Sequence, residues 1–239
     1  MNNNELIENS WYETELINYL EFKPPLKDSL YQKVGEIIDE LHSEIVLDYG
    51  CGAGNQIAYL LTSTQVDIFD ITREYVDTAC KTYKDTHRIV PYYSTNEIPN
   101  NQYDAFILNL VWLCLRNEEE MNELFDTIRR IVKRNGHIIV TITNPYAEDM
   151  EFSYYKSEFT TGEKEFNYFK NGEPYKVYIK DSTKSVFIDY HWTFEFTLNK
   201  FISNKFELVK FMELKDIPFH NDVNYKLNPY FLLVFRNNN

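Results

Sequence analysis

"VLDYGCGAG", residues 46–54, packs three glycines into five positions of a chain that holds only seven. The run "EIVLDY" leading into them reads as a short buried strand, and "NQIAYLLTS" after them predicts a helix. A glycine-rich turn between strand and helix is where a parallel sheet lets a ligand approach the backbone. Asp48 stands immediately before that turn, and the sign of its charge matters. A carboxylate there repels a pyrophosphate and attracts an ammonium or sulfonium group. At ~4 Å and an effective dielectric of ~20 the Coulomb energy is about 4 kcal/mol before desolvation. The spacing agrees, because a dinucleotide loop asks for G-x-G-x-x-G. Here Gly50 and Gly52 are followed by a third glycine one place early, at Gly54. A cationic cofactor fits this turn better than a nicotinamide dinucleotide.

Outward from the turn, strand and helix alternate. Residues 29–42, "SLYQKVGEIIDELH", put Leu30, Val34, Ile37, Ile38 and Leu41 on one helical face. "QVDIFDIT" is a second strand, "REYVDTACKTYKD" a helix with Tyr75, Val76 and Ala79 inward, and "RIVPYYS" a weaker strand, since Pro91 suits an edge. "YDAFILNLVWLCL" is a fourth strand, apolar nearly throughout. "EEEMNELFDTIRRIVKR" is a helix with an acidic first turn and a basic last turn, closed by Asn135-Gly136; "HIIVTITN" is a fifth strand. The strands lack polar alternation, as expected when both faces are covered, so the pattern predicts a doubly wound, mostly parallel sheet.

The alternation breaks at residue 145. Residues 145–192 lack a convincing helix and are rich in Tyr and Phe, with "FNYFKNGEPYKVYI" reading as a hairpin around Asn171-Gly172. "TFEFTLNKFIS" then resumes as a helix, and "FELVKFMEL" and "PYFLLVFR" as strands. The expected architecture is one α/β domain over residues 1–239, with a seven-stranded sheet and an antiparallel β insertion after strand five that forms a flap.

Composition narrows the function classes. The formal net charge is −13 and the pI about 4.9, a surface that repels a polyphosphate backbone. The densest basic stretch, "RRIVKR" at 129–134, suits a helix end, where cations complement the dipole. Nucleic acid is therefore not expected as a partner. No apolar run approaches the ~20 residues that span a bilayer, so no membrane is expected, and "MNNNELIENSWYETEL" has no secretory pattern. Cys51, Cys80 and Cys114 are scattered, odd in number and without a C-x-x-C pair, which points to a reducing cytoplasm and to no structural metal.

With these residues in view, the sequence resembles the class I S-adenosylmethionine-dependent methyltransferases over roughly residues 30–144. "VLDYGCGAG" is similar to that family's first motif, with Asp48, Gly50, Gly52 and Gly54 matching. The resemblance implies a Rossmann-like fold, S-adenosyl-L-methionine as cofactor and S-adenosyl-L-homocysteine as product. It implies that Gly50, Cys51 and Gly52 border the methionine part, that Asp48 holds the amino group, and that Asp70, with Ile71 beside it, grips the ribose hydroxyls. Capping of the following helix is the alternative task for Asp70, although Thr72 can fill that place. "YYSTNEIP" is similar to the adenine-contacting segment, with Ser94 where an aspartate is common and Thr95 next to it. "YDAFILNLVWL" resembles the fourth motif, placing Asn109 and Leu110 beside the transferable methyl. "NPYA" at 144–147 is similar to the N-P-P-Y motif of DNA and protein amide methyltransferases. That motif belongs after strand four, so Pro145 is read as a turn.

For the acceptor, "FIDYHWTFEF" at 187–196 supplies candidates. His191 is a candidate base, because its ordinary pKa suits proton removal near neutrality; a satisfied histidine in a core edge is the alternative. Tyr190 is a second candidate, and Trp192 and Asp189 are substrate contacts, with Tyr154 of the flap among the aromatics that would line a pocket. Trp11 and Tyr12, in an N-terminal segment of residues 1–28, would fold over the cofactor. The leading expectation is methylation of an oxygen or nitrogen of a small metabolite by a monomer or homodimer. A protein methyltransferase, a non-catalytic scaffold of the same fold and a nicotinamide oxidoreductase are the competing readings.

Overall fold

The apolar strands and amphipathic helices assemble around one main sheet in a computed structural model that describes residues 25–148, 155–159, 166–179, 186–214 and 228–239. In chain order these are α1 (Pro25–Glu40), β1 (Ile45–Tyr49), β2 (Gln65–Phe69), α2 (Arg73–Tyr83), β3 (Arg88–Tyr92), β4 (Tyr103–Asn109), α3 (Glu118–Ile131) and β5 (Val132–Thr143). There follow β6 (Tyr155–Phe159), β7 (Glu173–Ile179), β8 (Val186–His191), α4 (Phe194–Ser203), β9 (Phe206–Glu213) and β10 (Tyr230–Asn237). The main sheet has seven strands in the order β3-β2-β1-β4-β5-β10-β9. The first five are parallel, and β10 runs antiparallel to both neighbours. β6, β7 and β8 form a separate antiparallel sheet inserted after β5. The fold is a Rossmann-like, doubly wound, mostly parallel sheet with an antiparallel β insertion after β5, as the sequence implies.

The chain winds from β1 outward through β2 to β3, then crosses to β4 on the other side of β1. Strand order thus reverses between β1 and β4, and the carboxyl ends of those strands open a crevice. Helix α1 covers one face through Leu30, Val34, Ile37 and Ile38, packed with Val46, Ile57 and Val66. The other face carries an aromatic core in which Trp112, Phe125, Phe201, Phe206 and Phe235 lie in mutual ring contact. Among the described residues no helix is long and apolar enough to cross a membrane.

Four local expectations are corrected. Residues 55–63 form turns with one 3-10 turn at Ile57–Tyr59 instead of a helix. The space a helix would need is taken by α1, whose Gly35 lies so close that a Cβ there would sit 2.1 Å from the Tyr59 carbonyl oxygen. Strand β4 ends at Asn109, because Leu110 is left-handed (φ 55°) and the chain turns into a 3-10 segment at Trp112–Cys114. Helix α3 stops at Ile131, and buried Val132 already pairs with Tyr103; the left-handed turn at Asn135 falls within the irregular start of β5. Around Asn171-Gly172 there is no hairpin: β7 begins just after, and the Gly172 N–H donates to the His191 carbonyl.

Candidate functional site

The turn after β1 is built by backbone hydrogen bonds that only a tight reversal allows. The N–H groups of Gly50 and Cys51 both donate to the Phe69 carbonyl at the end of β2, at 2.7 and 3.0 Å. Gly50 has φ 73°, and a Cβ there would lie 2.4 Å from a Val111 methyl, so the position excludes a side chain on two counts. Gly52, at φ 51°, differs: a Cβ would meet nothing within 4 Å. Its missing side chain leaves room over a cavity of about 430 Å³, lined by both glycines.

Asp48 sits beneath that cavity at 1% exposure, and its Oδ2 has no hydrogen-bond partner. Burial, aided by the charge of Asp70, pushes its pKa up to about 7. A buried carboxylate with an unsatisfied oxygen is costly unless a donor arrives, so the site is short of one cationic or N–H donor. Asp70 is nearly buried and its pKa is raised by burial, against the pull of backbone N–H groups. Its Oδ2 accepts from Gly52 N–H and its Oδ1 from Thr72 N–H, both at 2.9 Å. It therefore ties the glycine turn to α2 while still lining the cavity. Thr72 occupies the cap position but its side chain makes no capping bond, so the capping and cavity-facing tasks fall to the same aspartate. A carboxylate offers about four acceptor positions, which leaves two for a ligand.

Ile71, two-thirds exposed, lines the cavity with Thr72 and Thr95. Ser94 is not among the lining residues; its hydroxyl caps the 3-10 turn Thr95–Glu97 by accepting from Asn96 N–H. Cys51 is buried with its thiol directed to the Gly52 carbonyl, 3.3 Å away, and burial holds its pKa well above the ordinary value. Asn109 and Leu110 close the same wall. Leu110 is left-handed, a conformation costing a non-glycine residue roughly 1–3 kcal/mol and characteristic of functional sites.

Ile188 and Tyr190 of β8 and Leu124, Glu120 and Glu123 of α3 also line the cavity. Arg116 also lines it, with its side chain and backbone N–H bound to the Glu120 carboxylate. Among the lining residues are four carboxylates, Asp48, Asp70, Glu120 and Glu123, and a single cation, Arg116. Tyr190 lines the cavity, with its phenol pKa raised by burial. Sequence reasoning missed Gln56, Glu120 and Glu123. The last two sit in the acidic first half of α3, read only as a helix start; Gln56 was hidden in the segment read as a helix.

His191 requires a correction. It is not among the lining residues, and its side chain is fully buried. Nδ1 is bonded to the Glu148 carboxylate, and Nε2 lies 2.7 Å from the Tyr168 carbonyl. Burial alone would lower its pKa, but the hydrogen bond and charge of Glu148 outweigh this and hold it above the ordinary value. Both ring nitrogens are occupied, and the ring is packed at Phe166 and Tyr168, so the residue is a structural ion pair rather than a base facing the acceptor. Trp192 lies one layer behind the wall, its indole N–H donating to the carbonyl of cavity-lining Leu115. Asp189 is buried and outside the lining. Trp11, Tyr12 and Tyr154 lie outside the described residues. Among the described residues no group of three or more His, Cys, Asp or Glu side chains could hold a metal ion.

Residues 46–136 match the family model described as "Methyltransferase domain". None of the curated proteins matches the sequence. Among solved structures, N-methyltransferase NodS from Bradyrhizobium japonicum is similar over 91% of this chain and 99% of its own, with TM-score 0.60 and 12% identity. A S-adenosylmethionine-dependent methyltransferase from Clostridium acetobutylicum is similar over 89% and 92%, with TM-score 0.58 and 12% identity. The 1,6-didemethyltoxoflavin-N1-methyltransferase of Burkholderia thailandensis, solved with 1,6-didemethyltoxoflavin and S-adenosylhomocysteine, is similar over 89% and 80%, with TM-score 0.57 and 13% identity.

Proposed function

We propose that the chain is a class I S-adenosylmethionine-dependent methyltransferase that methylates an oxygen or nitrogen of a small-molecule acceptor; the methyltransferase-domain match over residues 46–136 and the shared fold support this reading. The observation that carries the proposal is the make-up of the cavity lining. It combines the unsatisfied Asp48 and the open Gly52 turn with side chains of β8, a strand of the inserted sheet, and of α3. A concave site of this size suits a cofactor and a compact acceptor.

The cofactor supplies an electrophilic methyl group on a sulfonium. The chain's own residues bind and orient it. Asp48 accepts from the amino group, Gly50, Cys51 and Gly52 let the methionine part lie on the backbone, and the free acceptor positions of Asp70 take the ribose hydroxyls beside Ile71. Thr95, with Ser94 behind it, borders the base, and Asn109 and Leu110 border the reacting carbon. Alignment of the acceptor lone pair with the S–C bond and exclusion of water then provide most of the rate. Tyr190 contacts the acceptor, while Glu120 and Glu123 are the carboxylates nearest to receive a proton if the acceptor sheds one. The excess of lining carboxylates disfavours anionic acceptors, including nucleic acid. The Bradyrhizobium N-methyltransferase and the Burkholderia N1-methyltransferase, which share the fold, support nitrogen among the acceptor atoms. We read residues 145–192 as a flap over the acceptor and residues 1–28 as a cover for the cofactor, in one domain acting in the cytoplasm as monomer or homodimer. The scattered cysteines and the acidic charge support that setting.

Calorimetric titration with S-adenosylhomocysteine and with NAD tests the cofactor, and only the first is expected to bind. Incubation with S-adenosylmethionine and panels of small amines, phenols, carboxylic acids and peptides tests the acceptor. Release of S-adenosylhomocysteine with an amine or phenol supports the reading, and release only with peptides overturns it.

A further inference from the structure

A line of hydrogen bonds runs along the cavity wall, through Tyr31, Gln56, Asn109 and Leu110, which line the cavity, and Thr141, which does not. The Leu110 N–H donates to Thr141 Oγ1 at 3.1 Å and to the Thr141 carbonyl at 3.1 Å. The Thr141 hydroxyl donates to Asn109 Oδ1 at 3.0 Å, Asn109 Nδ2 to Gln56 Oε1 at 2.7 Å, and Gln56 Nε2 to the Tyr31 carbonyl at 3.0 Å. Thr141 is fully buried and Gln56 is 2% exposed.

The polarity of this line is forced by its ends. A backbone N–H can only donate and a backbone carbonyl can only accept. With Tyr31 accepting, Gln56 must turn its NH2 toward α1 and its oxygen toward Asn109. Asn109 must then turn its oxygen toward Thr141, whose single hydroxyl proton is committed there and whose lone pair faces Leu110. Neither amide can flip without placing two donors or two acceptors face to face. The line joins four elements: α1, the segment after the glycine turn, the end of β4, and β5. It holds the Asn109 amide in one orientation and Leu110 in its left-handed conformation, and both residues line the cavity.

Resting on the methyl-transfer reading above, we propose that Gln56 and Thr141 are positioning residues, which fix Asn109 and Leu110 around the methionine part of the cofactor. Neither residue needs to touch the methyl group for this. Their effect is confined to that end of the cavity, because the adenosine end is held by Asp70 and by the Thr95 turn.

The experiment compares two probes, S-adenosylhomocysteine, which has the amino-acid tail, and 5′-methylthioadenosine, which lacks it. Thr141→Val removes the hydroxyl at nearly constant volume. It is expected to weaken S-adenosylhomocysteine by about 3- to 10-fold, the worth of one hydrogen bond. 5′-Methylthioadenosine should stay within about 2-fold, and Thr141→Ser should restore wild-type behaviour. Gln56→Glu, which sets an acceptor against the Tyr31 carbonyl, should show the same selective loss. Hydrogen exchange at the Leu110 amide should speed up in both variants. Equal loss of both probes, no loss of either, or a Thr141→Ser variant no better than Thr141→Val overturns the proposal. If Thr141→Val fails to fold, Gln56→Glu and the exchange rate decide it alone. A wild-type chain that binds neither probe refutes the cofactor reading instead; wild-type binding with indifferent variants refutes only the positioning roles.

Discussion

Asp48 and His191 are both buried titratable groups with raised pKa values, and they differ in what surrounds them. His191 has a partner at each ring nitrogen. Asp48 has an oxygen with none and a cavity above it. The first is what a fold does with a polar group it needs for itself; the second is what a fold keeps when a ligand completes the set. Burial and a shifted pKa alone do not mark a functional residue, since both groups have them. The unsatisfied atom separates the two.

Removing one partner of each group sharpens the comparison, and His191 should give the larger effect. His191→Ala strands the Glu148 carboxylate without a countercharge, which costs about 3–5 kcal/mol for a buried pair. Denaturant melts should record that loss. Affinity of the folded variant for S-adenosylhomocysteine, measured by calorimetry at low temperature, should be unchanged. A folded His191→Ala protein of normal stability that has lost methyl transfer would restore the residue as a base.

The second difference is one of pH. The folded-state pKa of His191 lies above its ordinary 6.5, so its stabilisation is complete below 6.5 and is lost as pH rises through the folded value. Asp48 is an acid raised from 3.8 to about 7: the folded protein holds a proton that the unfolded chain releases, so stability falls as pH rises from about 4 to 7. At 1.36 kcal/mol per unit this reaches about 4 kcal/mol as a ceiling. Both groups therefore weaken the ligand-free protein as pH rises, Asp48 between about 4 and 7 and His191 above 6.5. Saturating S-adenosylhomocysteine should remove the Asp48 part by supplying an ammonium and leave the His191 part in place. Melting temperatures across pH 5–9, with and without ligand, check this. Asp48→Asn should flatten the ligand-free profile and weaken binding. A ligand that leaves the profile's shape unaltered would mean that Asp48 does not meet the amino group.

What the sequence disclosed follows the same division. The sheet was legible because buried parallel strands are continuous apolar runs, and the turn over the cavity because its demands are local: a carboxylate, then glycines in left-handed backbone. The rest of the cavity lining includes residues of β8 and α3, which lie far apart in the chain. Tyr190 could be picked out only as an aromatic neighbour of His191, and nothing local distinguished the two. The helix expected over 55–63 failed for a tertiary reason, since α1 already occupies that face through Gly35. Gln56 was not legible for the same reason, because its partners Tyr31 and Asn109 are distant in the chain and no local pattern marks their amide contacts. A second group of ring contacts lies outside the flap, among Trp112, Phe125 of α3, Phe201 of α4, Phe206 and Phe235.

The smallest effect on stability is expected inside the glycine turn, where the comparison recurs on a smaller scale. Gly50 and Gly52 are both left-handed, yet only at Gly50 would a Cβ strike protein, the Val111 methyl. Gly52→Ala should therefore cost only the strain of a left-handed alanine, about 1–2 kcal/mol, and thermal melts of the ligand-free protein should show a modest shift. Its methyl would instead project into the cavity where the backbone is to meet the cofactor. Affinity for S-adenosylhomocysteine should drop by at least ~10-fold, about 1.4 kcal/mol, in calorimetry. Gly50→Ala should reverse the ranking, harming the fold before the ligand is involved. If Gly52→Ala binds as tightly as the wild type, the cofactor does not lie over this turn, and the open space above Gly52 serves some other end.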